Sequence, residues 1–197
     1  MSNSYKYIDP DFTYTDSKTG LLKNLQNITD PDVLLFVESG AVTKRLQELS
    51  QRPIKIKRID SLFEIHRYLF QDIYDWAGKK RLVEISKDGK QFFPTSHFDN
   101  ALRYIDLLIT DFKKIPKDNK RELAEKLAEI LDNVNYLHPF REGNGRAQRE
   151  FLRLLALDKG LTLNLNPPNS KSVFERYMKG TIESDISTSN ELIFELI

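Results

Sequence analysis

The sequence predicts a mainly α-helical fold, a compact bundle around one central helix with a single short β-hairpin, and three observations carry that prediction. Apolar residues recur at spacings of three and four through most of the chain. One segment, around Phe151, Leu152, Leu154, Leu155 and Leu157, is apolar around much of its circumference and so belongs at the centre of a bundle. One stretch, Val83 to Phe93, places Asp88-Gly89 between short runs containing Ile85 and Phe92, which suits a hairpin turn.

The elements follow in order. Asp30 is a suitable N-cap and Pro31 a suitable first residue for a helix through Val33, Leu34, Phe36 and Val37 to about Leu49, with Gly40 as a weak point. Asp60 is expected to cap a second helix, with Leu62, Ile65, His66, Leu69 and Ile73 on one face, ending near Trp76 to Gly78. A third runs from about Phe98 to Phe112, before Pro116. The stripe Leu123, Leu127, Ile130, Leu131 and Val134 defines a fourth, between Arg121 and Tyr136, which stops at His138-Pro139. The central helix is closed by Lys159 and Gly160. Two short helices, about Ser172 to Met178 and Asn190 to Leu196, complete the chain.

Composition narrows the function. The 197 residues, 40% hydrophobic, suffice for one substantial core. Lys and Arg number 30 against 29 Asp and Glu, so nothing electrostatic favours nucleic acid or an anionic membrane as partner. The absence of cysteine removes disulfides, thiolate zinc sites and a cysteine nucleophile. With no signal-peptide pattern and no bilayer-length apolar run, a cytoplasmic protein is expected.

The chemistry concentrates in His138-Pro139-Phe140-Arg141-Glu142-Gly143-Asn144-Gly145-Arg146-Ala147-Gln148-Arg149, which reads as a helix end, a tight loop and a helix start. The glycines flanking Asn144 permit positive φ and close approach of backbone to a ligand, and the helix start offers N–H groups without internal partners. That combination cradles an anion. Arg146 and Arg149, three apart, point to roughly one side of a helix and can fork onto successive phosphates. Glu142 can hold a Mg²⁺ that phosphate also binds. His138 can titrate near neutrality and take a proton from a hydroxyl. Phe140 reads as an apolar anchor, while His66, on an apolar helical face, and Trp76 read as packing. His97 is a candidate anchor for the hairpin.

This run resembles the signature of the Fic family: His-Pro-Phe, any residue, Asp or Glu, Gly-Asn-Gly-Arg, two residues, Arg. Asp72-Ile73-Tyr74-Asp75-Trp76-Ala77-Gly78 and the hairpin, similar to the family's flap, extend the resemblance. It assigns residues 59–197 to a Fic domain and 1–58 to a variable N-terminal helical portion packed on it, within one structural unit. It implies protein AMP transfer: His138 deprotonates a Tyr, Thr or Ser hydroxyl, which attacks the α-phosphate of ATP and expels pyrophosphate. Glu142 would hold Mg²⁺ and Gly143, Asn144 and Gly145 would bind phosphate, Asn144 with its side-chain amide as well. Arg146 would take the β-phosphate and Arg149 the γ-phosphate. The flap, Ile85, Ser86, Lys87, Asp88, Gly89, Lys90, Gln91, Phe92 and Phe93, would dock an extended target segment by strand addition.

Two other readings compete. Family relatives move phosphate or phosphocholine, and the intact Gly145 argues against the phosphate branch; a non-catalytic strand-addition module is the alternative from another class. The resemblance offers topoisomerases such as DNA gyrase as targets. It also implies inhibition by a glutamate that pairs with the second motif arginine. Ser187-Thr188-Ser189-Asn190-Glu191 is similar to the inhibitory motif, but Leu192 stands where Gly or Asn is expected. A separate small antitoxin-like protein is therefore preferred over Glu191 as the source of that glutamate.

Overall fold

The structure, a computed structural model, describes residues 5–7, 9, 11–87 and 89–197. Among these are seven α-helices: α1 (Pro31–Gln51), α2 (Asp60–Phe70), α3 (Phe98–Lys114), α4 (Lys120–Leu137), α5 (Asn144–Asp158), α6 (Lys171–Glu183) and α7 (Ile186–Leu196). Three short strands, β1 (Tyr5–Tyr7), β2 (Ile85–Lys87) and β3 (Lys90–Gln91), form an antiparallel sheet in the order β1-β2-β3. The fold class is the expected one. None of these helices is long and apolar enough to cross a membrane.

The central helix is α5. Ala147, Phe151, Leu152, Leu154, Leu155 and Ala156 are all buried, which spreads over more than one face, and α2 and α4 pack against it. Helix α1 begins as its sequence suggests: Asp30 accepts hydrogen bonds from the N–H groups of Asp32 and Val33, and Pro31 follows where no N–H is needed.

Other boundaries depart from expectation for identifiable reasons. Asp60 is the first helical residue of α2 and not its cap. That helix stops at Phe70, well short of Trp76, because residues 71–78 fold back over it. Gly78, at φ 76°, lies so close to α2 that a Cβ there would fall 2.6 Å from the Cβ of Arg67. Helix α6 continues past Met178 through Gly180, where a Cβ would meet the Ser189 hydroxyl of α7 at 2.6 Å. This glycine serves helix-to-helix approach. Helix α7 starts before Asn190 because Asp185 caps it, accepting from Thr188 N at 3.1 Å.

Among the described residues of the N-terminal portion, α1 is the helix. Residues 11–30 carry turns and an isolated bridge between Thr15 and Leu22, and β1 pairs with β2 in the register Tyr5 opposite Lys87 and Tyr7 opposite Ile85. The hairpin is therefore the inner and outer strand of a three-stranded sheet. Its turn has Gly89 at φ 82°, and Asp88 lies outside the described residues.

Candidate active site

Helix α4 ends at His138, whose backbone is left-handed at φ 42°, ψ 60°. A conformation that costs a non-glycine residue about 1–2 kcal/mol persists only where surroundings enforce it. Three contacts do so. The His138 carbonyl accepts from Nε of the buried Arg81 at 2.9 Å, Nδ1 lies 3.1 Å from the carbonyl of Asn135, and the ring stacks on Phe92 at 3.8 Å between centroids. A carbonyl only accepts, so Nδ1 carries the proton and Nε2 the lone pair. Burial pushes the His138 pKa down to about 3, below the near-neutral titration expected from its sequence alone, with the nearby charges of Arg81 and Lys87 acting in the same direction. The imidazole is neutral at physiological pH.

The loop that follows is built around Phe140, which is fully buried and stacks on His66 at 3.7 Å. Asn144 closes it: Oδ1 accepts from Phe140 N at 2.9 Å and Nδ2 donates to Phe140 O at 2.8 Å. Oδ1 and one of the two Nδ2 hydrogens are thus used inside the protein, which leaves one Nδ2 hydrogen for the phosphate contact expected of this side chain. Gly143 has φ 80°, and a Cβ there would lie 2.3 Å from the Phe70 ring. Gly145 differs. It lies inside α5 without a positive φ, so the flexible backbone expected of both glycines is used by Gly143 alone.

The first N–H groups of α5, those of Asn144, Gly145 and Arg146, have no acceptor among the described residues and make the anion-attracting helix terminus that the spacing predicts. The Gly143 N–H donates to Glu142 Oε1 at 2.8 Å. That oxygen also lies 3.6 Å from Arg146 Nη2, whereas Glu142 Oε2 has no partner among the described residues.

The two arginines part company. Arg146 pairs with Glu38 of α1 at 2.6 Å. Arg149 lies over the rings of Phe174 and Tyr177, each 5.4 Å from its guanidinium carbon. Both line a cavity of ≈ 150 Å³ beside α1. Only Arg149 also lines the larger cavity of ≈ 210 Å³ that contains His138, Gly145, Phe92 and Gln148. Lys90 bridges that cavity's rim, donating to the Ile182 carbonyl of α6 at 3.1 Å.

The flap residues divide by exposure. Ile85 is buried and anchors the hairpin to the core, Phe92 faces His138, and Lys90 and Gln91 are exposed beside the cavity. His97 is exposed. The anchoring it was expected to supply comes from Glu84, which accepts from Thr95 N and Oγ1 at 2.9 and 2.6 Å. Glu191 is exposed on α7, where Arg176 feels its charge. Among the described residues Arg149 has no carboxylate partner.

Two positioning residues escape sequence reasoning. His66 is buried among aromatic rings, its Nδ1 accepting from Gly78 N and its Nε2 donating to Glu142 O, both at 2.9 Å, with burial pushing its pKa down to about 3. It ties the back of the anion loop to α2. Arg81, wholly buried, joins the flap's two ends to His138. The apolar face of α2 signals that His66 is buried, but no local pattern signals its partners.

A family model described as Fic/DOC matches residues 56–156, and this span holds the loop, the flap and all but the C-terminal end of the central helix. The chain belongs to the Fic/DOC family. Protein adenylyltransferase VbhT of Bartonella schoenbuchensis is 36% identical to it over 156 residues, 79% of this chain and 33% of VbhT. A probable protein adenylyltransferase, Fic, of Escherichia coli is 36% identical over 147 residues, 73% of this chain and 72% of that relative. Another from Sinorhizobium fredii, y4lH, is 31% identical over 168 residues and 84% of each chain. The Fic/DOC chain thus spans about a third of VbhT and most of the two shorter relatives. Among solved structures, the FIC domain of Bep8 from a Bartonella species superposes with a TM-score of 0.83 at 21% identity, covering 94% of each chain. BepC of Bartonella tribocorum, solved with bound AMPPNP, gives 0.79 at 23% identity, covering 94% of this chain and 96% of that one.

Proposed function

We infer that this Fic/DOC chain is a protein adenylyltransferase, moving AMP from ATP to a Tyr, Thr or Ser hydroxyl of another protein. One observation carries the reading: a neutral His138 with its lone pair on Nε2 shares a cavity with the N-terminus of α5 and Arg149. Nε2 accepts the proton of the target hydroxyl as its oxygen bonds to the α-phosphorus, and the bond to the bridging oxygen breaks to release pyrophosphate. Phosphate oxygens are met by the N–H groups of Asn144, Gly145 and Arg146, with Arg146 serving the β-phosphate and Arg149 the γ-phosphate. Negative charge there also raises the basicity of His138 from its depressed value.

Glu142 is the residue suited to Mg²⁺, because this ion is commonly held by one or two carboxylates together with substrate phosphates, and Oε2 has no partner among the described residues. The ion would neutralise charge developing on the phosphate oxygens. Since β2 is already paired on both edges, the target segment adds along the edge of β3, where Lys90 and Gln91 border the cavity. Topoisomerases such as DNA gyrase are the acceptor class to try first, in the cytoplasm where ATP is plentiful. An antitoxin-like protein supplies an inhibitory carboxylate to Arg149.

Incubation of a bacterial lysate, and of purified gyrase, with the chain and ATP labelled at the α- or γ-phosphate tests the activity. Protein label from the α position only, a mass gain of AMP, and loss of both in His138→Ala are expected. Label from the γ position, or a mass gain of phosphate or phosphocholine, would sink this reading.

A further inference from the structure

Glu38 lies in α1, outside the residues matched by the Fic/DOC model, yet its carboxylate reaches the active-site helix. It is 6% exposed, and both oxygens are used: Oε1 accepts from Arg146 Nη1 at 2.6 Å, and Oε2 accepts from the Tyr74 hydroxyl. Beneath the pair, the Arg146 guanidinium lies 4.7 Å over the ring of Phe70, the same ring that leaves no room for a side chain at Gly143. Its other edge faces Glu142 Oε1 at 3.6 Å. The guanidinium is therefore fixed in plane by an aromatic face and in rotation by a carboxylate that is itself fixed by a phenol.

Such an arrangement holds an arginine and still leaves it able to bind. A guanidinium has five donors, and Glu38 takes one of them through Nη1. The Arg146 side chain remains 26% exposed and lines the cavity beside α1. A flexible arginine loses conformational entropy when it captures phosphate, whereas one already held loses less on binding.

We propose that Glu38 is a positioning residue that aims Arg146 at the nucleotide's β-phosphate, and that this is what helix α1 contributes to the active site. The inference rests on the reading of Arg146 as a phosphate ligand.

Calorimetric titration with AMP, ADP and AMPPNP in Mg²⁺ tests it, because AMP has no β-phosphate. Glu38→Gln should weaken ADP and AMPPNP about tenfold, or about 1.4 kcal/mol, while leaving AMP within about twofold. In an Arg146→Ala background, Glu38→Gln should add nothing further. Tyr74→Phe removes only the hydroxyl at Oε2 and should give a smaller loss with the same dependence on the β-phosphate, so it serves if Glu38→Gln lowers the melting temperature. An equal loss for AMP and ADP, tighter ADP binding in Glu38→Gln, or full additivity with Arg146→Ala overturns the proposal. If Arg146→Ala alone binds ADP as the wild type does, the phosphate role of Arg146 fails first and the inference falls with it.

Discussion

Arg81 donates through Nε to the carbonyl of His138 at 2.9 Å, and the remainder of its guanidinium binds the two ends of the flap: Nη1 to Val83 O at 2.7 Å and Nη2 to Phe93 O. One buried cation thus references the left-handed turn at His138 to the hairpin that borders the cavity. Phe92 stacking on the His138 ring closes the same circuit from the other side.

Lysine cannot reproduce that fork, because its ammonium is a compact point charge without the planar spread of donors. Arg81→Lys is therefore expected to destabilise the fold by about 3 kcal/mol, the usual scale for breaking a buried hydrogen-bonded ion. Below the melting transition it should impair protein labelling more than nucleotide binding, since the α5 terminus does not involve Arg81. Denaturant unfolding, ADP titration and labelling from α-phosphate ATP check this. Equal loss in the last two would show that Arg81 does not act through His138 and the flap.

The two loop glycines should answer differently to alanine. At Gly143 a methyl group meets the Phe70 ring at 2.3 Å and the backbone has φ 80°, so Gly143→Ala should cost about 2–4 kcal/mol from strain and overpacking together. At Gly145 the nearest atom is the mobile Nη1 of Arg149 at 3.3 Å, with no positive φ. Gly145→Ala should fold nearly as the wild type while weakening nucleotide binding several-fold. Melting temperatures and ADP affinities of the pair decide, and the reverse order of stability would contradict this account of the loop.

Where the chain's function depends on neighbours in sequence, the sequence was informative. The run from His138 to Arg149 displays its base, carboxylate, turn and arginines within twelve consecutive residues, and Asp30-Pro31 announces α1 because a cap acts on the next few N–H groups. Long-range pairing has no such period. Nothing adjacent to Glu38 shows that it meets Arg146, 108 residues away, or that Arg81 lies under His138. A second role of Asn144 is hidden in the same way: an amide beside an anion loop suits a phosphate, and the buried N–H and C=O of Phe140 also require partners and take Oδ1 and one Nδ2 hydrogen.

Both buried histidines imply acid sensitivity. Burial lowers the pKa of His66 and His138 from the usual 6.5 to about 3, so between these values the unfolded chain takes up protons that the folded chain does not. Stability is then complete above pH 6.5 and falls as pH drops toward 3. Replacing His66 by Gln, whose amide offers one donor and one acceptor to Glu142 O and Gly78 N, should reduce the slope of stability against pH between 4.5 and 5.5 by about 1.4 kcal/mol per unit, one proton's worth. Urea unfolding across that range measures the slope. An identical slope in the two proteins would mean that His66 is protonated in the fold.

Arg149 is also where a brake on the site would act. A brake supplied by this chain would require a carboxylate at that guanidinium, and Glu191 is the residue whose sequence context resembles one. In the structure Glu191 is an exposed residue of α7, with Arg176 as a cation that feels its charge. Neighbours Leu192 and Ile193 are buried, so turning α7 to bring Glu191 inward would expose both, at about 1.5–3 kcal/mol each. Arg149 is meanwhile held by Phe174 and Tyr177 of α6, contacts that orient it while leaving its charge unneutralised by any carboxylate among the described residues. Glu191→Gly should accordingly leave self-labelling from α-phosphate ATP within about twofold of wild type after correction for the α7 stability lost to glycine, about 1 kcal/mol. Arg149→Ala should lower ATP affinity with little change for ADP, because the γ-phosphate is the group it serves. A rise of tenfold or more in Glu191→Gly would show that α7 does reach Arg149 in solution, and would replace a partner-supplied glutamate with one carried by this chain.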